Sequence, residues 1–581
     1  MLLDMQIYIP SQDPLAHEDF ALTPRKVKKW IKSASLADPQ KASTELIELI
    51  SNSNRVTFPS KQRYASLEIL APICKSILAQ HSKSLSHQTF PLSGNAVKSH
   101  NFQQSILAEI AISYKIIIAE AVHGDNSLNQ KKLLLSLFKA ICCLKQEYVS
   151  SLLTYQKISE NIWPDICQLY RVAEFYDFQN RVVQDRELSE KTTIANIFKY
   201  LCSLTMISFN KLRQGEASAI IKFLNKNCQL IEIQSNLETF TEDYIYLANL
   251  ATGKPPSYYI PREVPISSEN RFVLYSLFIN KLSELKQKYV QSHSYYLHSD
   301  DEIDPDLANR LIEMIGKPTQ RSKKRLKSNQ KVKAIICLDK ILETLNPEQD
   351  EPDPLAEDSY ILHSMALLPI EEKSKIIFDE SKTGDSQCLD ISQNLSDIWE
   401  HDSELNSKNE QPEEIKNNDA NETGTWKIDN YSSGGFCLTY DTDGSCKTRV
   451  GEIIAIRDTN NADQTIQWLT GTIRWMQCDP QHSNRIGVEL FGAECAFITI
   501  HTNNNDSTKY HGLLLKKIED NEKKFSLLVP TRVSFDSNDI VIRGKKSERS
   551  AILGQTLEKT SSFTHFEILE IATQNQVLNN L

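Results

Sequence analysis

Apolar residues recur every three or four positions through most of the first 316 residues. That spacing places them on one face of a helix. The longest stripe consists of Leu133, Leu134, Leu137, Ile141, Leu144, Tyr148 and Leu152. A later stripe, predicted to form one of the last helices, consists of Phe272, Leu274, Leu277, Ile279 and Leu282. The pattern predicts an all-α region over residues 1–316, packed either as an irregular bundle or as a helical repeat.

The pattern changes near Thr425, where short β-rich runs separated by turn signals replace the helical spacing. The runs are 436–440, 453–456, 468–475 and 486–490, and turn residues such as Ser433-Gly434-Gly435 lie between them. Short strands at this spacing predict a small antiparallel barrel or sandwich over 425–495. Further strand-like runs fill 496–581, where the pattern fits either a second small β domain or an extension of the first sheet. The predicted fold class is therefore α+β and multidomain.

Two segments of opposite charge separate these regions. Residues 317–331 contain seven Lys or Arg and no acid, and the strand-like run 331–338 follows. Residues 346–424 contain 21 Asp or Glu and 5 Lys or Arg, a net charge of −16 in a chain whose total is −10. So acidic a tract, with few aromatic residues, is typical of disorder. We expect 317–345 to supply a basic segment and a first barrel strand, and 346–424 to be a largely disordered insertion.

One local pattern indicates a ligand. Asn430-x-Ser432-x-x-Gly435 precedes a β run, and the sequences GTIRW and IGVEL follow. This arrangement resembles the core of a PilZ domain. The resemblance implies a six-stranded barrel, in a family of which many members bind cyclic di-GMP, and a second motif of two arginines spaced R-x-x-x-R just before the first strand. There is no arginine between Lys327 and Gly424, whereas Arg321 and Arg325 have the required spacing and lie six residues ahead of the 331–338 run. The resemblance therefore implies a barrel split by the acidic insertion.

The chemistry of cyclic di-GMP suits these residue types. A planar guanidinium can fork onto phosphate oxygens or the O6/N7 edge of guanine and can stack on the base, which a lysine cannot do. By the resemblance, Arg321 and Arg325 would bind the nucleotide, the Asn430 amide would pair with a guanine edge, and Ser432 would donate to phosphate or hold the turn. Gly435 would allow a close approach of backbone or supply a positive φ. Taken alone, Asn-x-Ser-x-Gly-Gly is equally an ordinary tight turn between strands.

Other classes of function find less support in the residues. The chain has no phosphate-binding loop, dinucleotide fingerprint, HExxH or nucleophile elbow, so we expect no enzyme activity. The basic segment lacks interleaved aromatic residues, which argues against nucleic acid. There is neither a signal-peptide pattern nor an apolar run of about 18 residues, so a membrane span is not expected, and 12 scattered cysteines fit a reducing cytoplasm.

Two functions remain open. The first is a cytoplasmic cyclic di-GMP receptor that couples nucleotide binding by the barrel to a helical region that binds an unidentified protein partner. The second is a divergent PilZ-like protein that binds no nucleotide and acts as a protein-interaction adaptor. The position of the two arginines relative to the Asn430–Gly435 turn distinguishes them.

Overall fold

The chain divides into two compact units in the computed structural model. Helices α1 to α10 belong to the first unit, and two β-barrels belong to the second. The structure describes residues 7–13, 20–34, 37–85, 90, 92–124, 127–184, 191–237, 244–260, 267–292, 303–316, 325–345, 424–432, 434–440, 448–458, 468–478, 484–491, 494–502, 505–519, 522–535, 537–544 and 548–571. The predicted disordered insertion therefore lies, except for Gly424, outside the described residues.

The first unit is mainly helical, as predicted. Its helices are α1 (Pro24–Ser33), α2 (Pro39–Asn54), α3 (Ser60–Leu85), α4 (Gly94–Val122), α5 (Gln130–Leu153), α6 (Ile162–Phe175), α7 (Ile194–Met206), α8 (Glu216–Asn227), α9 (Ser276–Ser292) and α10 (Pro305–Ile315). Three of them begin with proline at the first helical position, preceded by a capping side chain from Thr23, Asp38 or Asp304. Proline fits there because that position has no intrahelical partner for its N–H, and the cap accepts another unpaired donor.

This unit also contains short strands that the helical pattern did not predict. They are β1 (Val183–Gln184), β2 (Lys191–Thr192), β3 (Glu232–Gln234), β4 (Ile245–Asn249), β5 (Ser257–Tyr258) and β6 (Asn270–Leu274). Strands β3, β6, β4 and β5 form one sheet in that order. The predicted helix through Phe272 is therefore a strand up to Leu274, followed by α9. Strand β6 is buried on both faces, because Val273 packs in the main helical core and Phe272 in a smaller cluster. A continuous apolar run of this kind does not distinguish strand from helix by periodicity.

The second unit opens with a barrel built from both sides of the acidic insertion. Its strands are β7 (Leu326–Lys327), β8 (Lys331–Ile336), β9 (Gly424–Ser432), β10 (Gly435–Tyr440), β11 (Ile453–Asp458), β12 (Leu469–Cys478) and β13 (Asn484–Leu490). Strand β8 pairs antiparallel with β9 and with β11, and the β9–β10 pair closes a ring of six strands. The prediction of a barrel interrupted between its first and second strands is confirmed.

The first barrel strand is shorter than the predicted run 331–338. Strand β8 ends at Ile336, Cys337 has φ +91°, and helix α11 (Leu338–Thr344) begins at the next residue. A positive φ is costly for a side chain with a Cβ and ends the extended backbone. Helix α11 then buries Leu338 and Ile341.

The C-terminal strands close a barrel of their own and do not extend the first sheet. They are β14 (Glu494–Thr502), β15 (Asn505–Glu519), β16 (Glu522–Pro530), β17 (Asp539–Arg543), β18 (Glu548–Lys559) and β19 (Phe563–Ile571), in the ring order β14-β15-β16-β19-β18-β17. Numbered from β8 in the first barrel and from β14 in the second, both rings have the order 1-2-3-6-5-4, with antiparallel neighbours throughout. The C-terminal barrel therefore repeats the topology of the first.

An apolar cluster joins the two barrels. It contains Leu338 and Ile341 of α11, Ile453 of β11, and Leu513 and Phe563 of the second barrel. The Arg474 guanidinium on β12 donates to Glu558 of β18 at 2.7 Å.

No helix among the described residues is both long enough and apolar enough to cross a bilayer.

Candidate ligand-binding site

Strand β7 lies directly beside the predicted ligand-binding turn. Leu326 pairs with Tyr431 and Lys327 with Asn430, and the Ser328 backbone N–H donates to the Asp429 carbonyl at 3.0 Å. In an antiparallel ladder, the residue before Leu326 lies next to the residue after Tyr431. Arg325 is therefore placed beside Ser432, on exposed backbone at the start of β7. Arg321 lies outside the described residues.

Ser432 and Gly435 face each other across the β9–β10 hairpin. A Cβ built on Gly435 would lie 1.9 Å from the Val488 carbonyl oxygen of β13, closer than any real contact. Glycine is therefore required here by the close approach of β13 backbone. Gly435 also pairs with Glu489 of β13 in the barrel ladder.

Asn430 lies in a cross-strand row on the outer face of the barrel. The row consists of Lys327, Asn430, Cys437, Gly487 and Trp475, each paired with the next. The Trp475 indole occupies the space that a Cβ at Gly487 would fill, since that Cβ would lie 1.7 Å from its Nε1. The row thus has an amide near one end and a half-buried aromatic ring at the other. Trp475 was recognised in the sequence only as part of a strand.

A charged cluster adjoins this row. Asp429 is the extra residue of a β-bulge, because Cys437 pairs with Asn430 while Leu438 pairs with Ile428. Its Oδ2 accepts hydrogen bonds from Thr439 Oγ1 at 2.5 Å and from Arg485 Nε at 3.1 Å. Sequence reasoning missed this cluster. Asp429 and Arg485 are 56 positions apart, and neither alternation nor motif spacing indicates which outward-facing residues meet across three strands.

The charged residues named at this face are mostly basic, with Asp429 as the acid paired to Arg485. Burial raises the pKa of the Cys437 thiol, the charges of Arg485 and Arg325 lower it, and the charge of Asp429 raises it. Cys437 is 3% exposed and pairs with Asn430. Lys427, exposed and paired with Thr439, adds a further positive charge. A concentration of like charge at one surface favours an anionic ligand.

Two models of known protein families match the chain. A family model described as the N-terminal domain of cyclic-di-GMP receptor FimW matches residues 25–238, and one described as the middle PilZ domain of that receptor matches residues 245–496. Together with the six-stranded ring and the Asn430–Gly435 motif, the second match shows that residues 245–496 contain a PilZ domain.

Among individual proteins, the chain is similar to cyclic-di-GMP receptor FimW of Pseudomonas aeruginosa. The two are 21% identical over 579 residues, which cover 97% of this chain and 93% of that protein. No solved structure matches the chain.

The predicted site residues that the structure describes belong to the first barrel and not to the second. Arg325, Asn430, Ser432 and Gly435 come together at the first barrel. The sequence after Leu490 contains neither an Asn/Asp-x-Ser-x-x-Gly motif nor two arginines spaced R-x-x-x-R. The second barrel therefore has the ring order of the first without its ligand motifs.

Proposed function

We propose that this protein is a cyclic di-GMP receptor whose site lies on the outer face of the first barrel, around Arg325, Asn430, Ser432 and Gly435, with Arg321 completing the basic segment. The observation that supports the proposal is the pairing of β7, which directly follows Arg325, with Asn430 and Tyr431 of β9. The name of the related receptor supports the choice of ligand. The protein acts by binding and releasing this nucleotide and not by catalysis.

Each site residue has a role that its chemistry allows. Arg321 and Arg325 fork onto the phosphates or the guanine O6/N7 edge, since guanidinium donors match both. The Asn430 amide pairs with a guanine edge, and the Ser432 hydroxyl donates to phosphate. Trp475 offers a ring on which a guanine can stack, an interaction that contributes about 1–3 kcal/mol per base in other nucleotide complexes.

Calorimetric titration of the full-length chain with cyclic di-GMP tests this site. We expect binding by the wild type, a loss of about tenfold or more in affinity for Arg325→Ala, and no measurable binding for Arg321→Ala/Arg325→Ala, because charge-assisted hydrogen bonds to phosphate are removed. Arg543→Ala is a matched control, since Arg543 forms an ion pair with Glu548 at 3.2 Å in the second barrel. Absence of wild-type binding would reject the receptor function and favour the nucleotide-free adaptor.

The helical unit is the proposed binding region for a protein partner. Helix α1 carries exposed Arg25, Lys28, Lys29 and Lys32, and residues 24–33 contain no acid. Its opposite face is used for packing, because Val27 is fully buried. A cationic surface of this kind fits a partner that presents acidic side chains. We propose that nucleotide binding at the barrel changes the affinity of this partner.

Capture of partner proteins on the immobilised full-length chain, with and without cyclic di-GMP, tests this coupling. Lys28→Glu/Lys29→Glu should abolish nucleotide-dependent capture, because reversed charges repel an acidic partner. Lys131→Glu, on an exposed position of α5, is the control and should leave capture intact. Identical capture by the Lys28→Glu/Lys29→Glu variant and the wild type would exclude α1 as the partner surface.

A further inference from the structure

The bulge at Asp429 aims a carboxylate at one arginine. Bulges commonly redirect a side chain and are frequent beside functional sites. The Asp429 carboxylate is engaged by Arg485 through Nε, and Arg485 Nη2 lies 3.9 Å from Cys437 Sγ. The terminal amino group of Arg485 is thus directed toward the row that contains Asn430, because Cys437 is the residue paired with Asn430.

The position of Arg485 relative to Arg325 makes this arrangement relevant to ligand binding. Arg325 directly precedes β7, which pairs with the Asn430 and Tyr431 part of β9. Arg485 lies on β13, which pairs with β10, the other strand of the same hairpin. Arg485 is 28% exposed and Asp429 24%, so the pair is accessible from solvent at this face.

A purely structural role accounts poorly for the arrangement. An ion pair at this degree of exposure contributes about 0–1 kcal/mol to stability, and the ladders between β9, β10 and β13 already join these strands. A guanidinium has five donors in a planar fork, and engagement at Nε by a carboxylate fixes the plane of that fork. Such a fixed fork is suited to an acceptor such as a phosphate oxygen or a guanine edge.

We propose that Arg485 is a further cationic contact for the nucleotide, and that Asp429 is the positioning residue that holds its guanidinium toward Asn430. This inference rests on the proposed function, because it concerns the same site and the same ligand. Neither residue belongs to the Asn430–Gly435 motif or to the Arg321–Arg325 pair, so the assignment comes from the fold around the bulge alone.

Titration of full-length variants with cyclic di-GMP tests the inference. We expect Arg485→Ala to weaken binding about tenfold, Arg485→Lys to weaken it less because charge is kept without the fork, and Asp429→Asn to give an intermediate loss. The Asp429→Asn effect should disappear in the Arg485→Ala background, since Asp429 acts through Arg485. Arg543→Ala should bind like the wild type, and thermal unfolding should show Tm values close to wild type for every variant.

The outcomes separate this inference from the proposed function. Wild-type binding that is weakened by Arg325→Ala but not by Arg485→Ala would overturn the role of Arg485 and leave the receptor function standing. Additive effects of Asp429→Asn and Arg485→Ala would overturn the positioning role of Asp429. Equal losses in Arg485→Ala and Arg485→Lys, with a matching fall in Tm, would assign Arg485 to the fold and also overturn the inference. If the wild type binds no cyclic di-GMP, both proposals fail together.

Discussion

The two barrels of the second unit have the same ring order, and they differ in what is added to the ring. In the first barrel, β7 extends the pairing of β8 along the same edge of β9, and β9 has a bulge at Asp429. In the second barrel, β15 pairs with β16 from Leu513 to Glu519 without a register shift, at the position equivalent to the β9–β10 hairpin. The ring is therefore the shared scaffold, and the ligand motifs are features of one copy.

This difference shows how a site can be gained or absent without a change of fold. The ring needs only alternating apolar positions and antiparallel neighbours, which both copies have. A nucleotide site needs cations, an amide and a glycine at fixed places on the outer face, and these residues make little contribution to the barrel interior. Fold and function are therefore specified largely by different residues, although Gly435 is also required by the fold.

The largest effect that tests the comparison is expected from Gly435. Gly435→Ala should destabilise the first barrel by about 3 kcal/mol, because the new Cβ would lie 1.9 Å from the Val488 carbonyl and the backbone has to shift. Urea unfolding followed by hydrogen exchange of β9 and β10 amides measures this loss and localises it.

Gly512→Ala is the matched variant in the second barrel. Its Cβ would meet the Leu528 carbonyl at 2.8 Å, a milder contact, so we expect a loss of about 1 kcal/mol confined to β15 and β16. Equal losses in the two variants would contradict the view that the hairpin of the first barrel is held especially close to its neighbouring strand.

A smaller effect is the pH dependence of stability that arises from His565, and it should be confined to the second barrel. Burial lowers the pKa of His565, whose Nε2 lies 2.8 Å from Ser526 Oγ on the neighbouring strand. The folded state thus binds a proton at His565 less readily than the unfolded chain does. The stability that this group contributes is fully present above the usual His pKa of about 6.5. It is lost as the pH falls through the lowered pKa of the folded state.

Hydrogen exchange of β16 and β19 at decreasing pH measures this loss. His565→Gln should weaken the pH dependence and keep most of a hydrogen bond that contributes about 1 kcal/mol. His511→Gln, on an exposed position of β15, is the control. Unchanged pH dependence in His565→Gln would show that another group is responsible.

The smallest effect is expected at the polar contact between the barrels. Arg532 donates to both Asp339 oxygens, at 2.9 and 2.7 Å, but its side chain is 71% exposed. Arg532→Ala should cost less than about 1 kcal/mol, since exposed ion pairs are screened by water. A loss of more than about 2 kcal/mol in urea unfolding would mean that this pair, and not the apolar cluster around α11, holds the barrels together.

The sequence alone determined the type of most elements and the composition of the predicted site. Helical spacing in the first 316 residues and alternation after Thr425 both arise because one face of each element is buried. Both patterns can therefore be recognised from the local sequence. The Asn430–Gly435 motif and the spacing of Arg321 and Arg325 were recognised through the resemblance to PilZ domains. The strand at 270–274 was missed because both its faces are buried, which removes the alternation.

Only the tertiary structure decided which distant residues meet. The β7–β9 pairing places Arg325 beside Ser432 across the insertion, and the bulge brings Asp429 to Arg485, 56 positions away. Closure of the C-terminal strands into a second ring with the order of the first was equally undetermined by pattern. Alternation fixes the face on which a side chain lies, whereas strand order and register depend on non-local hydrogen bonds and packing, and these have no local signature in the sequence.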